Sequence, residues 1–410
     1  MRDGAARQYY LILVINFLHF LSWAVVEPYV PLFARALGAG LAEVGLLAAL
    51  FAFLPVVGAL PAGILVDRFG PRPVLFAGGL VVLAAQGLLV VARTVAWLYV
   101  VQLLAGIGEL LIVLAVQTNL ALLSADASRL GGSFAYLTFA VSAARALGPV
   151  IGGTLLTLLG AQGTPPETAL RTTFAVAAAV ALMVPVMAPF LRAPGPRVAA
   201  GPLWAHVQDI RMMAAAPPLR VPLLASATSL IAHGLRRSYF PLYMSQLGLG
   251  PAAIGLVFSA QDVASMVARP LFGWAYRTQG GGPLLSLALL LNGVAWGTLP
   301  MWQNAIALTV VAIGSGVAMG ISQPLTMLMV TMVVDRARQG TGVALRLLAN
   351  RMGQFATPLL VGGASALFGL PAAFHAVGLT LVTLSFLLRR MTPANAPWVR
   401  PAASITSAGA

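Results

Sequence analysis

Asn16, His19, Trp23 and Glu27 recur at i, i+3, i+7 and i+11, the spacing of one helix face. An amide, an imidazole, an indole and a carboxylate in line offer hydrogen bonding, protonation and ion pairing. Imidazole and carboxyl groups that change protonation inside an apolar segment are the usual carriers of a moved proton. A shift of 210 residues lands these positions on Ser226, Ser229, His233 and Arg237, a second polar and ionisable line. Two equivalent polar faces predict a shared cavity lined by Asn16, His19, Trp23, Ser229 and His233. Glu27 and Arg237 hold equivalent places with opposite charge, so an ion pair gating the outer side is expected.

Other ionisable residues also lie within apolar runs. Glu109 and Asp262 are acids; Arg145, Arg236, Arg269, Arg346 and Arg351 are bases. A charge at the bilayer centre costs about 2.5–3.5 kcal/mol on insertion scales, so such groups face a cavity or a partner. Glu109 and Arg145 each fall fourteen residues into their runs, from opposite faces, and could pair near mid-depth. Asp262 and Arg351 each fall eleven residues in. Glu109 and Asp262 are therefore candidates for proton coupling, and Arg145 and Arg351 for contact with a solute. Arg269 and Arg346, nearer the inner face, read as structural ion-pair members.

The elements that must position these groups are set by composition. Of 410 residues, 60% are hydrophobic, and the mean hydropathy is +0.92. Apolar runs near 20 residues long, enough to cross a hydrocarbon core of about 30 Å, recur throughout. They divide into twelve spans at 9–36, 43–66, 73–92, 95–123, 131–159, 170–191, 221–247, 251–276, 283–301, 304–333, 340–367 and 371–389. The first run is too long for a secretory leader and carries His19 and Glu27, so it is expected to remain. Cysteine is absent, which excludes disulfides and thiolate chemistry.

The net charge of +14 comes from 24 arginines and no lysine. Arg2, Arg7, Arg68, Arg72, Arg192, Arg277, Arg389 and Arg390 are among those in predicted cytoplasmic segments, against Arg35, Arg93 and Arg171 near the outer face. That bias orients helices and puts both termini in the cytoplasm, as for a multi-pass inner-membrane protein. It also argues against a nucleic-acid partner, which would concentrate charge on one soluble domain.

The 210-residue shift holds over a longer stretch. Tyr29, Pro31, Leu37, Gly38, Gly40 and Gly45 fall on Tyr239, Pro241, Leu247, Gly248, Gly250 and Gly255; Gly63, Gly70, Pro73 and Leu75 fall on Gly273, Gly280, Pro283 and Leu285. Further on the offset slips, matching Gly106 and Gly108 to Gly314 and Gly316. The expected fold is an all-α membrane protein, twelve transmembrane helices in two pseudo-symmetric six-helix bundles, an arrangement of parallel repeats known among secondary transporters. The bundles span 1–191 and 221–390, joined by a Pro-, Gly- and Arg-rich cytoplasmic linker at 192–220 with a short surface helix near Trp204 to Met213, and followed by a cytoplasmic tail at 391–410.

Between the second and third runs lies "GILVDRFGPRPVL", Gly63 to Leu75. Gly63, Leu65, Asp67, Arg68, Gly70 and Arg72 make it resemble the signature loop of the major facilitator superfamily, with Pro71 where an arginine is usual. The copy "GWAYRTQGGGPLL" in the second half has Arg277 in place of the acid. "ALGPVIGG" in the fifth run resembles the motif of the superfamily's antiporters and exporters, while Gln102 stands where that family has an arginine. The resemblance implies the twelve-helix fold, Asp67 and Arg68 as members of an inner gate, and the first and seventh spans as walls of the solute cavity.

Together these observations imply a carrier working by alternating access and exporting a small solute in exchange for protons. No nucleotide-binding loop is present, and neither cofactor nor metal site is expected. The arginine excess favours an anionic or zwitterionic solute. The alternatives are a multidrug exporter of lipophilic cations, a polytopic enzyme acting on lipid-linked substrates and a passive channel. The partners are the bilayer, protons and one small molecule, on a monomer. The cysteine-free chain allows a direct test of orientation: Ser407→Cys, in the tail, should react with an impermeant maleimide in inverted vesicles and stay unlabelled in intact cells.

Overall fold

The computed structural model describes residues 2–123, 127–192, 212, 213, 216–335, 338–393 and 395–399, and among them there is no strand. The first half contains α1 (Arg2–Val26), α2 (Val30–Ala36), α3 (Leu41–Phe69), α4 (Pro71–Val91), α5 (Val95–Leu123), α6 (Ala127–Ala161) and α7 (Pro166–Met187). The second contains α8 (Pro217–Ser229), α9 (Ile231–Ser238), α10 (Phe240–Gln246), α11 (Pro251–Gln279), α12 (Gly281–Thr298), α13 (Ala305–Val333), α14 (Gln339–Phe368) and α15 (Leu370–Met391). Among the described residues, ten helical segments are long and apolar enough to cross a bilayer. The other two expected spans are present as helix but differ in character. The seventh is broken into α8, α9 and α10, and α14 carries Arg346, Asn350, Arg351 and Gln354 in its first half.

The internal repeat is visible in backbone conformation as well as in residue type. Tyr29 and Tyr239 both precede a seven-residue helix, with φ of −101° and −111°. Gly38 and Gly248, at φ +92° and +80°, end those helices; Gly70 and Gly280, at +82° and +73°, turn α3 into α4 and α11 into α12. These are left-handed positions that glycine alone adopts without steric cost. Pro71 opens α4, where its missing N–H would have no helical partner in any case. α5 and α13 also keep the offset of 210, since Val95–Leu123 maps onto Ala305–Val333. The equivalent glycines are thus Gly106 and Gly316, and the slip to Gly314 is a coincidence of two Gly-x-Gly pairs. A Cβ on Gly106 would strike the carbonyl of Phe51, and one on Gly316 the carbonyl of Gln261, the residue 210 further on.

By packing, one compact unit comprises Met1–Leu203 together with Arg237–Ser259, and the other Trp204–Arg236 together with Ala260–Ala410. Residues 237–259, which chain order assigns to the second bundle, therefore pack within the first unit. The contacts responsible come from the "ALGPVIGG" segment. Gly148 of α6 lies against Ala24 and Val25 of α1, and Gly152 against the Val25 carbonyl and the Tyr29 ring. Gly153 lies against the Pro251 carbonyl, and Gly255 against that of Pro149. Tyr29 Oη is 2.9 Å from Pro149 O and 3.1 Å from Pro251 O. Small residues at such crossings let backbones approach closely, which drives helix association where no hydrophobic effect operates between helices.

In the second unit, Val221, Leu284, Leu285, Leu325 and Trp398 belong to one apolar cluster. Trp398 comes from the segment expected to be a free tail, and its carbonyl accepts the Gly281 N–H at 2.8 Å. The linker helix near Trp204 and most of the remaining tail lie outside the described residues.

Two substitutions should separate close packing from the tyrosine bridge. Gly152→Leu forces a side chain onto the α1 backbone and should destabilise the protein by about 1–3 kcal/mol. Tyr29→Phe removes only interhelical hydrogen bonding and should cost about 0.6–1.7 kcal/mol. Thermal unfolding in detergent should show the larger loss for Gly152→Leu.

Candidate functional site

The polar line on the first span is turned into the protein. Asn16, His19, Trp23 and Glu27 are all buried, while Tyr10 and Val14, off that line, are exposed. Pro28 ends α1 at Val26, so Glu27 occupies a turn with its N–H on the Trp23 carbonyl. Asn16 Nδ2, His19 Nδ1 and Trp23 Nε1 are buried with no hydrogen-bond partner among the described residues. Three unpartnered groups on one helix face are unusual, because buried polar atoms are nearly always satisfied. Glu109, half-buried on α5, acts electrostatically on His19. Gln86 donates to Ser22 Oγ at 3.1 Å, tying α4 to the neighbouring face of α1.

Around Glu27 the structure adds a contact that depth alone did not suggest. Arg145 Nη2 lies 3.9 Å from Glu27 Oε2, so α6 reaches the turn at the end of α1. Arg237 lies against aromatic rings: its guanidinium carbon is 3.4 Å from the Phe51 ring centre and 5.2 Å from that of Trp23. The two rings stack at 5.4 Å. Glu27 and Arg237, the expected gate pair, line one cavity of about 10 Å³ together with Trp23, Val44 and Gln102.

In the second unit, Arg236 Nη2 is 2.5 Å from Asp262 Oδ2. Arg236 is fully buried, and with this partner Asp262 reads as half of a structural ion pair. Its neighbour Gln261 donates to Ser315 Oγ at 3.1 Å, and Ser315 in turn donates to Asn292 Oδ1 at 2.8 Å and accepts from Trp296 Nε1 at 2.9 Å. This network ties α11 to α12 and α13. Arg346 donates to Thr326 Oγ1 at 3.1 Å and to the carbonyl and side-chain oxygens of Gln323, at 2.8 and 3.0 Å. It is held structurally, as expected, but by neutral acceptors.

The remaining candidates are distributed as follows. Ser229 is buried, and its hydroxyl donates to the Ala225 carbonyl at 2.7 Å, at the break between α8 and α9. His233 is buried on α9. Arg351 is half-buried, with Nη1 3.3 Å from Gln354 Oε1. Asp67 is half-buried at the end of α3, and Arg68 is exposed with its guanidinium over Phe69.

Two site residues escaped sequence reasoning. Phe51 lies in an apolar run with no polar signal, and only the coordinates bring its ring to Arg237. Tyr29 entered the repeat comparison as a register mark; a phenol recurring as Tyr239 at a helix break was the available sign of a hydrogen-bonding role.

Comparison with known proteins agrees with this architecture. The family model described as Major Facilitator Superfamily matches residues 12–274 and, overlapping, 222–408. "Multi-drug resistance efflux pump PmrA" of Streptococcus pneumoniae is 30% identical over 149 residues, 35% of this chain and 37% of that protein. "Multidrug resistance protein 1" of Bacillus subtilis is 29% identical over 177 residues, 43% of each. The chain thus matches about two fifths of the length of these relatives. Among solved structures, a bacterial homolog of the human lysosomal transporter Spinster superposes with a TM-score of 0.79 at 13% identity, covering 95% of this chain and 98% of that one. A POT family transporter in complex with 5-aminolevulinic acid superposes with a TM-score of 0.76 at 12% identity, over 94% and 97%. At such identities the likeness is one of fold. The family model covers nearly the whole chain, and this chain belongs to the Major Facilitator Superfamily.

Proposed function

We propose that this transporter exports lipophilic organic solutes across the inner membrane in exchange for protons. The observation that carries the reading is the buried line Asn16–His19–Trp23, with unpartnered polar atoms, together with a half-buried carboxyl, Glu109, within electrostatic reach of His19. A solute crossing the first half would meet hydrogen-bonding groups from α1, and Glu109 supplies an ionisable group that acts electrostatically on His19. Asp262 is less suited to that role because Arg236 holds it.

The arginine excess had favoured an anion. That argument weakens once partners are counted: Arg145 faces Glu27, Arg236 faces Asp262 and Arg346 is enclosed by Gln323 and Thr326. At the start of the sixth span, Arg171 bonds the carbonyls of Val90 and Ala92 and the carboxylate of Glu167. The multidrug pumps among the relatives support a lipophilic solute. An anionic or zwitterionic solute is the second reading, favoured by Arg351, half-buried at mid-helix. Asp67 and Arg68 are proposed as inner-gate residues, on the strength of the loop they occupy.

Proteoliposomes loaded with a fluorescent lipophilic dye test this directly. Dye movement should follow an imposed pH gradient, and Glu109→Gln should reduce gradient-driven movement at least about tenfold, the order expected when a group that transfers the proton is lost. Movement indifferent to the pH gradient, or organic anions exchanging where dyes do not, would overturn the reading.

A further inference from the structure

The surroundings of Arg237 have the composition of a binding site for a cation. The stacked rings of Trp23 and Phe51 meet the guanidinium carbon at 5.2 and 3.4 Å, within the range where a ring quadrupole attracts positive charge. Glu27 contributes a carboxylate to the same cavity. Gln102, also lining it, is almost wholly buried, and its Oε1 has no hydrogen-bond partner. An amide oxygen in that state calls for a donor. Two aromatic faces, an unused acceptor and a carboxylate that Arg145 approaches only at 3.9 Å together suit an organic ammonium or amidinium. The cavity that remains is about 10 Å³, room for no more than about one water. The protein's own guanidinium therefore fills the place such a ligand would take.

We propose that the corner formed by Trp23, Phe51, Glu27 and Gln102 recognises the cationic group of a transported solute, and that Arg237 is an internal stand-in that occupies it when no solute is bound. Solute and Arg237 compete for one site. Binding of the cation expels Arg237, and departure of the cation lets it return. The chemistry asks for a charged, delocalised or alkylated nitrogen group, or a comparably soft cation, attached to an apolar body. The proposal rests on the exporter reading above and narrows its solute class.

Equilibrium binding of radiolabelled tetraphenylphosphonium to the purified full chain in detergent tests it, with tetraphenylborate as a probe of the same shape and opposite charge. Arg237→Ala should bind the phosphonium about threefold tighter or more, while Arg237→Lys should keep the low affinity of the parent. In the Arg237→Ala background, Phe51→Leu or Glu27→Gln should erase the gain. Tetraphenylborate should gain nothing. Should Arg237→Ala elute as aggregate, Phe51→Leu and Glu27→Gln in the parent chain carry the test, and each should weaken phosphonium binding.

An equal gain for both probes would mean only that space was made, and would overturn the proposal. A gain that survives loss of Phe51 or Glu27 would overturn it too, as would unchanged phosphonium affinity in those two single variants. The measurement needs no gradient. Failure of proton-driven transport with these binding results intact would therefore count against the exporter reading alone.

Discussion

The closeness of α6 to the end of α1 is the constraint on which the first unit depends. Gly148, Gly152 and Gly153 bring one backbone onto another at distances where a Cβ has no room. Helices in lipid gain nothing from burying apolar surface against each other, so contact area and interhelical hydrogen bonds must hold them. The glycine face supplies the first, and the Tyr29 hydroxyl between the carbonyls of Pro149 and Pro251 supplies the second. The placement of Arg145 beside Glu27 follows from that approach, since Arg145 lies one helical turn before Pro149 on the helix the glycines draw in. Moving α6 outward by the width of a side chain would part this ion pair and uncover the turn at Glu27.

Charge inside the apolar region is handled in three distinct ways. Arg236 and Asp262 form a short ion pair, the arrangement that best offsets the cost of taking both groups from water. Arg346 is wrapped by neutral oxygens of Gln323 and Thr326, which satisfies a guanidinium without an acid. Arg237 lies on aromatic faces, a contact that carries attraction without strong direction. The first two fix a helix in one place. The third presents the guanidinium to ring faces that accept a cation from more than one direction.

Long-range order was largely legible in the sequence because it is periodic. The apolar runs foretold the helices to within a few residues, and the glycine and proline register foretold which turns recur, since a left-handed turn or a helix start demands one residue type. Of the two breaks in the seventh span, the one at Tyr239 follows the repeat, since Pro241 opens the next helix as Pro31 does after Tyr29, whereas the one at Leu230 has no such local mark. The polar line on α1 was readable for the same periodic reason. Its partners were not, because a depth estimate orders residues along one axis and says nothing about direction around a helix. Depth suggested Glu109 as a partner for Arg145, and the structure adds Glu27, whose carboxylate lies 3.9 Å from Arg145. Phe51 carried no signal at all; an apolar ring facing a cation is identical in sequence to one facing lipid.

The two short helices after the breaks are tied down by matching contacts. Tyr29 and Tyr239 each end a broken span and each reach a backbone carbonyl on another helix, Tyr239 that of Leu41 at 3.2 Å. A phenol bonded to a carbonyl carries no net charge, so separating it exposes two neutral groups, which water solvates readily. An ion pair at the same place would leave two charges to be rehydrated, a change several kcal/mol larger in each direction. Around these phenols, the glycine crossings specify where the helices sit, because only one alignment of Gly152, Gly153 and Gly255 allows the backbones to meet.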